Sequence, residues 1–229
     1  MSNYTHETVP TRFVETKGIR YAYRRFGKPG TVPLLFLEYF NSNMDGWDPA
    51  VTNSLATDHE IILFDNAGVG ASGGETPYTV VEMTQHCVAF CRALGLKAIH
   101  VVGFSLGGMI AQQLALDHQR LVRRLILLGT GPRGGEGMTF TEPAIGRYAT
   151  LKKITHPTLI VHGNKDIVVA PINALILAER LPNAQLIVYS DSSHGAQYQH
   201  AKLFLEHVKL FLSDGDSPVP APGDSGSKL

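Results

Sequence analysis

The stretch Val101 to Gly108, Val-Val-Gly-Phe-Ser-Leu-Gly-Gly, constrains this chain more than any other. An apolar run, Ile99 to Val102, leads into Gly103-Phe104-Ser105-Leu106-Gly107, and a helix-patterned segment, Met109 to Leu116, leads away. A serine with glycines two residues to either side, between strand and helix, is the pattern of a sharp elbow that lifts a hydroxyl clear of a sheet. A Cβ at Gly103 or Gly107 would strike neighbouring backbone where strand and helix pass close together. Ser105 is the candidate nucleophile. The bare pattern recurs by chance in many chains, so its weight comes from the strand before it and the helix after it.

Such an elbow needs a sheet beneath it, and the chain supplies strands in alternation with helices. Ile19 to Arg25 alternates apolar and basic residues, as a strand with one wet side does. Val32 to Leu37, Glu60 to Phe64, Leu125 to Leu128, Thr158 to Val161 and Gln185 to Val188 are short apolar runs, expected of strands covered on both faces. Helices are predicted over Asp48 to Ala56, from a Thr79 cap to Leu94, and over Ala174 to Leu181 and Tyr198 to Leu212. Asp65 to Pro77 is rich in glycine and turn residues and is predicted to be a loop. The pattern predicts an α/β fold with a mostly parallel central sheet and helices on both faces. Residues 1–212 form one domain in this reading, and 213–229, rich in Ser, Asp, Gly and Pro, form a disordered tail.

Charge and cysteine usage exclude other classes. Lysine plus arginine equals aspartate plus glutamate, 20 each, which argues against a nucleic-acid partner. No apolar segment is long enough to span a bilayer, and Met1 to Thr16 lacks an apolar signal core, so a cytoplasmic protein is expected. Cys87 and Cys91 lie on one predicted helix beside apolar neighbours; no further ligands stand at metal-binding spacing, and they read as buried free thiols.

A serine hydroxyl needs a base to accept its proton, and the base needs an acid to orient it. His194, in Asp191-Ser192-Ser193-His194-Gly195, follows the last predicted strand and would hang from the carboxyl edge of the sheet. Asp166, in His162-Gly163-Asn164-Lys165-Asp166, follows another strand at the same edge. Asp191 is the rival acid, but three residues from His194 it would reach the imidazole only through a local turn; Asp166 is favoured.

These residues carry a resemblance to the α/β-hydrolase fold superfamily. The elbow at Ser105, Asp166 and His194 stand in that family's order of nucleophile, acid and base. Asp65-Asn66-Ala67-Gly68-Val69-Gly70-Ala71-Ser72 is similar to its Asp-x-Arg-Gly-x-Gly-x-Ser turn, with Ala67 where arginine is usual. The resemblance runs from about Thr11 to Leu212. It implies a serine hydrolase with the Ser105, His194, Asp166 triad, acting on a small-molecule ester and using no cofactor or metal. Where the family carries His-Gly after its third strand, this chain has Glu38-Tyr39. By that alignment the amides of Phe40 and Leu106 form the oxyanion hole. Glu38 is either a core-edge residue or a neighbour of the site that disturbs its protonation.

Relatives insert a helical lid after the sixth strand, whereas only Gly129 to His156 lies there in this chain. That link holds loop and one predicted helix, Ile145 to Ile154, but no cap domain. An open Ser105 implies weak binding and modest discrimination among esters. Uncovered apolar surface near Phe140, Ile145 and Tyr148 would favour self-association.

Two stretches match the dinucleotide pattern Gly-x-Gly-x-x-Gly, starting at Gly68 and Gly129. The first is separated from its helix by Gly74 and Pro77, and the second is interrupted by Pro132, so neither reads as a nucleotide site. The competing functional classes are a catalytically weak or inactive binding protein of the same fold, and a thioesterase or haloperoxidase-like perhydrolase.

Overall fold

The structure, a computed structural model, describes residues 4–138 and 148–213. One eight-stranded sheet organises it, from β1 (Arg12–Thr16), β2 (Ile19–Gly27), β3 (Leu34–Leu37), β4 (Glu60–Phe64), β5 (Ile99–Phe104), β6 (Val122–Leu128), β7 (Thr158–Gly163) and β8 (Ala184–Tyr189). The spatial order is β1-β2-β4-β3-β5-β6-β7-β8. β1 and β2 pair antiparallel at one edge, β2 meets β4 antiparallel, and every other pair is parallel. Parallel strands cannot be joined by tight turns, so each crossover carries its chain over a face of the sheet.

The helices are α1 (Pro49–Ala56), α2 (Val80–Ala93), α3 (Leu106–Asp117), α4 (Ile172–Arg180), α5 (Ala196–Gln199) and α6 (Ala201–Ser213). Because side chains alternate across a strand, each central strand feeds two cores. Leu35, Ile62, Val101, Leu125 and Ile160 join Cys87, Ile110, Leu114 and Leu177 of α2, α3 and α4 in one. Phe36, Leu63, Val102, Ile126 and Leu159 join Val51, Leu55, Phe204 and Val208 of α1 and α6 in the other. Thr79 begins α2 with a capping box: its hydroxyl accepts from the Glu82 N–H, and the Glu82 carboxylate accepts from the Thr79 N–H.

Three expectations are corrected. The stretch from Ile19 was read with one wet side, but Tyr21, Ala22 and Tyr23 are all buried. Tyr21 and Tyr23 pack on Phe90 of α2, and Ala22 faces the opposite core with Val51 and Leu55 of α1, so both faces of the strand are covered; β1, which pairs with its edge, is short and largely exposed and carries no apolar signal. The segment Tyr198 to Leu212 is two helices rather than one, broken at His200. Of the helix expected over Ile145 to Ile154, the described part holds only a turn of 3-10 helix, Leu151–Lys153. Ile145 and Phe140 lie outside the described residues, as does the tail from 214. Tyr148 is packed against the core, with its hydroxyl donating to Glu136.

Candidate active site

The carboxyl ends of the parallel strands converge on one edge, where open α/β sheets hold their ligands. β5 ends at Phe104, and Ser105 makes the turn into α3 with φ 53° and ψ −114°. A side chain in that conformation costs on the order of 1–3 kcal/mol and persists only where its surroundings hold it. They do so here. The Ser105 N–H donates to the Leu128 carbonyl at 2.9 Å, and its own carbonyl accepts from the Thr130 hydroxyl at 2.7 Å. A Cβ on Gly107 would stand 2.1 Å from the Leu37 carbonyl oxygen, and one on Gly103 2.4 Å from that of Gly107. The bare glycines let α3 start directly against β3 and β5.

Asp166 leaves the end of β7 with its side chain fully buried. Its Oδ1 accepts the N–H groups of Val168 and Val169 at 2.8 and 2.9 Å. Its Oδ2 lies 2.8 Å from Nδ1 of His194 and 3.2 Å from Nε2 of His162. Burial alone would raise this carboxyl's pKa, but the hydrogen bonds from His162, His194 and Val169 outweigh it and hold the group well below the usual carboxylate range. Asp191 pairs instead with Nε2 of His200 at 2.9 Å.

His194 follows β8, and its ring rests on that of Phe104, with centroids 4.9 Å apart. It is thereby brought beside the residue that precedes Ser105. A Cβ on Gly129 would stand 2.8 Å from the His194 carbonyl oxygen and 3.3 Å from Nδ1, so Gly129, at φ 48°, admits the imidazole. That glycine opens one of the two stretches resembling a nucleotide loop; here it serves histidine placement. No hydrogen bond joins the Ser105 hydroxyl to this imidazole among the described residues. With Nδ1–H given to Asp166, Nε2 keeps its lone pair.

Phe40 and Leu106 border one cavity of about 1180 Å³, between the loop after β3 and the loop after β4. Leu106 is the first residue of α3, so its N–H has no acceptor within the helix. The Tyr39 ring lies 5.1 Å from that of Phe104 and fixes the loop against the elbow, while the Phe40 side chain is exposed. Glu38 also lines the cavity. Burial, then the nearby Asp65, pushes its pKa up to about 9, so the side chain is a neutral acid at neutral pH. Among the described residues its only side-chain hydrogen-bond partner is the Ser42 hydroxyl, at 3.4 Å from Oε2. The ionisable side chains lining the cavity among the described residues are Glu38, Asp45, Glu75 and the tyrosines 39 and 78, with no Lys, Arg or His.

The Asp65 to Ser72 turn serves as scaffold. Asp65 accepts from the Met44 and Ala71 N–H groups at 2.8 and 2.9 Å, and Ser72 bridges the Asp65 carbonyl and the Ala22 N–H. Ala67 is fully buried in the core. Cys87 and Cys91 are buried free thiols, and the Cys87 thiol is raised by its contact with Cys91 and by burial. The described residues hold no group of three potential metal ligands and no helix long and apolar enough to cross a membrane. Sequence reasoning missed His162, Gly129 and Thr130. His162 and Gly129 stood inside stretches already singled out, but what they touch depends on strands distant in sequence.

The alpha/beta hydrolase fold family matches residues 32–144 and 132–201, most of the chain, and this protein belongs to that family. It is a small member, and among the described residues no separate cap domain stands between β6 and β7, the link in which the two matched segments overlap at 132–144. An alpha/beta hydrolase fold protein from Chitinophaga pinensis has a similar structure, with a TM-score of 0.85 and 30% identity, covering 93% of this chain and 100% of that one. Est816, an N-acyl homoserine lactone degrading enzyme, follows at a TM-score of 0.76 and 27% identity, covering 87% of this chain and 100% of its own. A 2-hydroxymuconate semialdehyde hydrolase of Pseudomonas sp. (strain CF600) is 24% identical over 249 positions, covering 81% of this chain and 88% of that protein. That alignment is longer than this chain of 229 residues, so the Pseudomonas hydrolase carries segments absent here.

Proposed function

We propose that the protein is a serine hydrolase of carboxylic esters, with Ser105 as nucleophile, His194 as base and then acid, and Asp166 as the orienting carboxylate. The observation that carries this reading is the 2.8 Å contact of His194 Nδ1 with Asp166 beside a serine held at positive φ. A pimeloyl-[acyl-carrier protein] methyl ester esterase of Edwardsiella ictaluri, 37% identical over 105 residues, supports an ester as the bond cleaved. Ser105 Oγ attacks the ester carbonyl as its proton passes to Nε2 of His194. The tetrahedral oxyanion is held by the Phe40 and Leu106 amides, a pair that contributes a few kcal/mol, and His194 returns the proton to the departing alcohol. Water then attacks the acyl-Ser105 ester, His194 takes one of its protons and gives it back to Ser105 Oγ, and the acid leaves. The hydroxyl and Nε2 must come within hydrogen-bond reach before the first step, a closure that substrate commonly completes. The reading requires no cofactor or metal.

A binding protein without turnover is the second reading, favoured by the absent Ser105–His194 hydrogen bond and by Glu38-Tyr39 in the oxyanion loop. Incubation with a fluorophosphonate separates the two. Covalent label on Ser105, lost in Ser105→Ala and much reduced in His194→Ala, supports the hydrolase, together with cleavage of short-chain p-nitrophenyl esters. An unlabelled, inert protein refutes it.

A further inference from the structure

Among the described residues, His162 is the one ionisable side chain in contact with Asp166 or His194 that the mechanism above leaves unused. It lies near the end of β7, fully buried, four residues before Asp166. Its Nε2 stands 2.9 Å from the Val169 carbonyl oxygen and 3.2 Å from Oδ2 of Asp166. Its Nδ1 is buried with no partner among the described residues. A buried nitrogen without an acceptor is far less costly as a bare lone pair than as an N–H, which makes Nε2 the nitrogen that carries the hydrogen.

A carboxylate offers about four acceptor positions. Asp166 accepts the Val168 and Val169 N–H groups on Oδ1 and His194 on Oδ2, and Nε2 of His162 stands a further 3.2 Å from Oδ2. Two of these donors come from its own loop, and one is the base. The His162 Nε2–H, donated to the Val169 carbonyl, closes the turn that carries the acid and holds the ring edge beside Oδ2.

We propose that His162 is a positioning residue of this hydrolase: by donating Nε2–H to the Val169 carbonyl, with its ring edge against Oδ2, it fixes the turn that sets the plane of the Asp166 carboxylate and partly screens its charge, which aims His194 at Ser105. The proposal rests on the hydrolase reading for its kinetic consequences and on geometry alone for the His194–Asp166 hydrogen bond. Within this site the groups facing Asp166 are His162 from β7 and His194 from the loop after β8; the other acid of that loop, Asp191, is held by His200.

The test compares His162→Leu, which removes the donor, with His162→Gln, whose carboxamide N–H can reach the Val169 carbonyl beside Oδ2. Without the donor, the less screened carboxylate holds a protonated imidazole more tightly. In His162→Leu the acid limb of the kcat/KM profile should therefore move to higher pH, and kcat should fall roughly tenfold, the loss of one hydrogen bond. His162→Gln should restore both. In parallel, the downfield proton resonance of His194 Nδ1–H is followed in Ser105→Ala, with and without His162→Leu, where no turnover is needed. A shifted resonance in a protein that cleaves no ester would sink the hydrolase reading and leave the positioning role standing. An unchanged resonance and pH profile in His162→Leu, or a His162→Gln variant as impaired as His162→Leu, would overturn the positioning role.

Discussion

Nδ1 of His194 lies 2.8 Å from Oδ2 of Asp166, although 28 residues and the whole of α4 and β8 separate them in sequence. Both hang from adjacent parallel strands, β7 and β8, whose register sets Gly163 beside Tyr189 and so delivers both loops to the same edge. The contact fixes which imidazole nitrogen carries the lone pair, and with it the direction in which a proton can move.

Asp166→Asn should preserve the geometry while reversing the tautomer, because an amide can donate to Nδ1. Its kcat for a short-chain p-nitrophenyl ester is expected to fall by about 10³-fold or more. Asp191→Asn, which loses only its contact with His200, should stay within a few-fold of wild type. Equal losses in the two variants would show that Asp166 is not the orienting acid.

Gly107→Ala tests the elbow through stability. The new methyl would stand 2.1 Å from the Leu37 carbonyl oxygen, a backbone atom that cannot turn aside. A destabilisation on the order of 3 kcal/mol is expected, read as a lowered midpoint in urea. An unshifted midpoint would mean that α3 can withdraw from β3 at little cost.

The raised carboxyl of Glu38 makes a pH signature. Its pKa is about 9 when folded against an ordinary 4.5, so between these values the folded state binds more protons than the unfolded chain. Stability from this group is complete below its ordinary value and is lost as pH rises through about 9. Asp166, held low, has the opposite sign: its contribution is present above the usual aspartate value of 3.8 and is lost as pH falls through its lowered one. Glu38→Gln should therefore gain in Tm relative to wild type as pH is raised from about 5 to 9. A constant difference across that range would show Glu38 ionised in the fold.

The cavity wall carries no described cation, and the charge of Asp45 is met by Arg24, so an acyl group bearing a carboxylate meets Glu75 without compensation. A neutral alkyl ester should be hydrolysed at least about tenfold faster, in kcat/KM, than the monoester of a dicarboxylic acid of equal length. Glu75→Lys should narrow the gap, and added salt should narrow it further. A preference for the dicarboxylic monoester would contradict the charge pattern.

Much of this was legible in the residues. The buried strands β3, β4 and β7 are runs of apolar side chains bounded by turn residues, and Thr79 and Glu82 announce α2 by chemistry that is local. β1 was not legible, because an exposed edge strand needs no apolar pattern and is held by its pairing with β2. Nor was the break at His200 within what looked like one amphipathic helix.

The elbow at Ser105 and the alternation of strand and helix are written in the residues, because glycine sterics and side-chain periodicity act within a few positions. That Asp166 rather than Asp191 meets His194, that His162 joins them, and that Glu38 is a neutral acid emerges with the folded chain. Those outcomes depend on strand order and on burial, which bring residues distant along the chain within a hydrogen bond of one another and withdraw water from them.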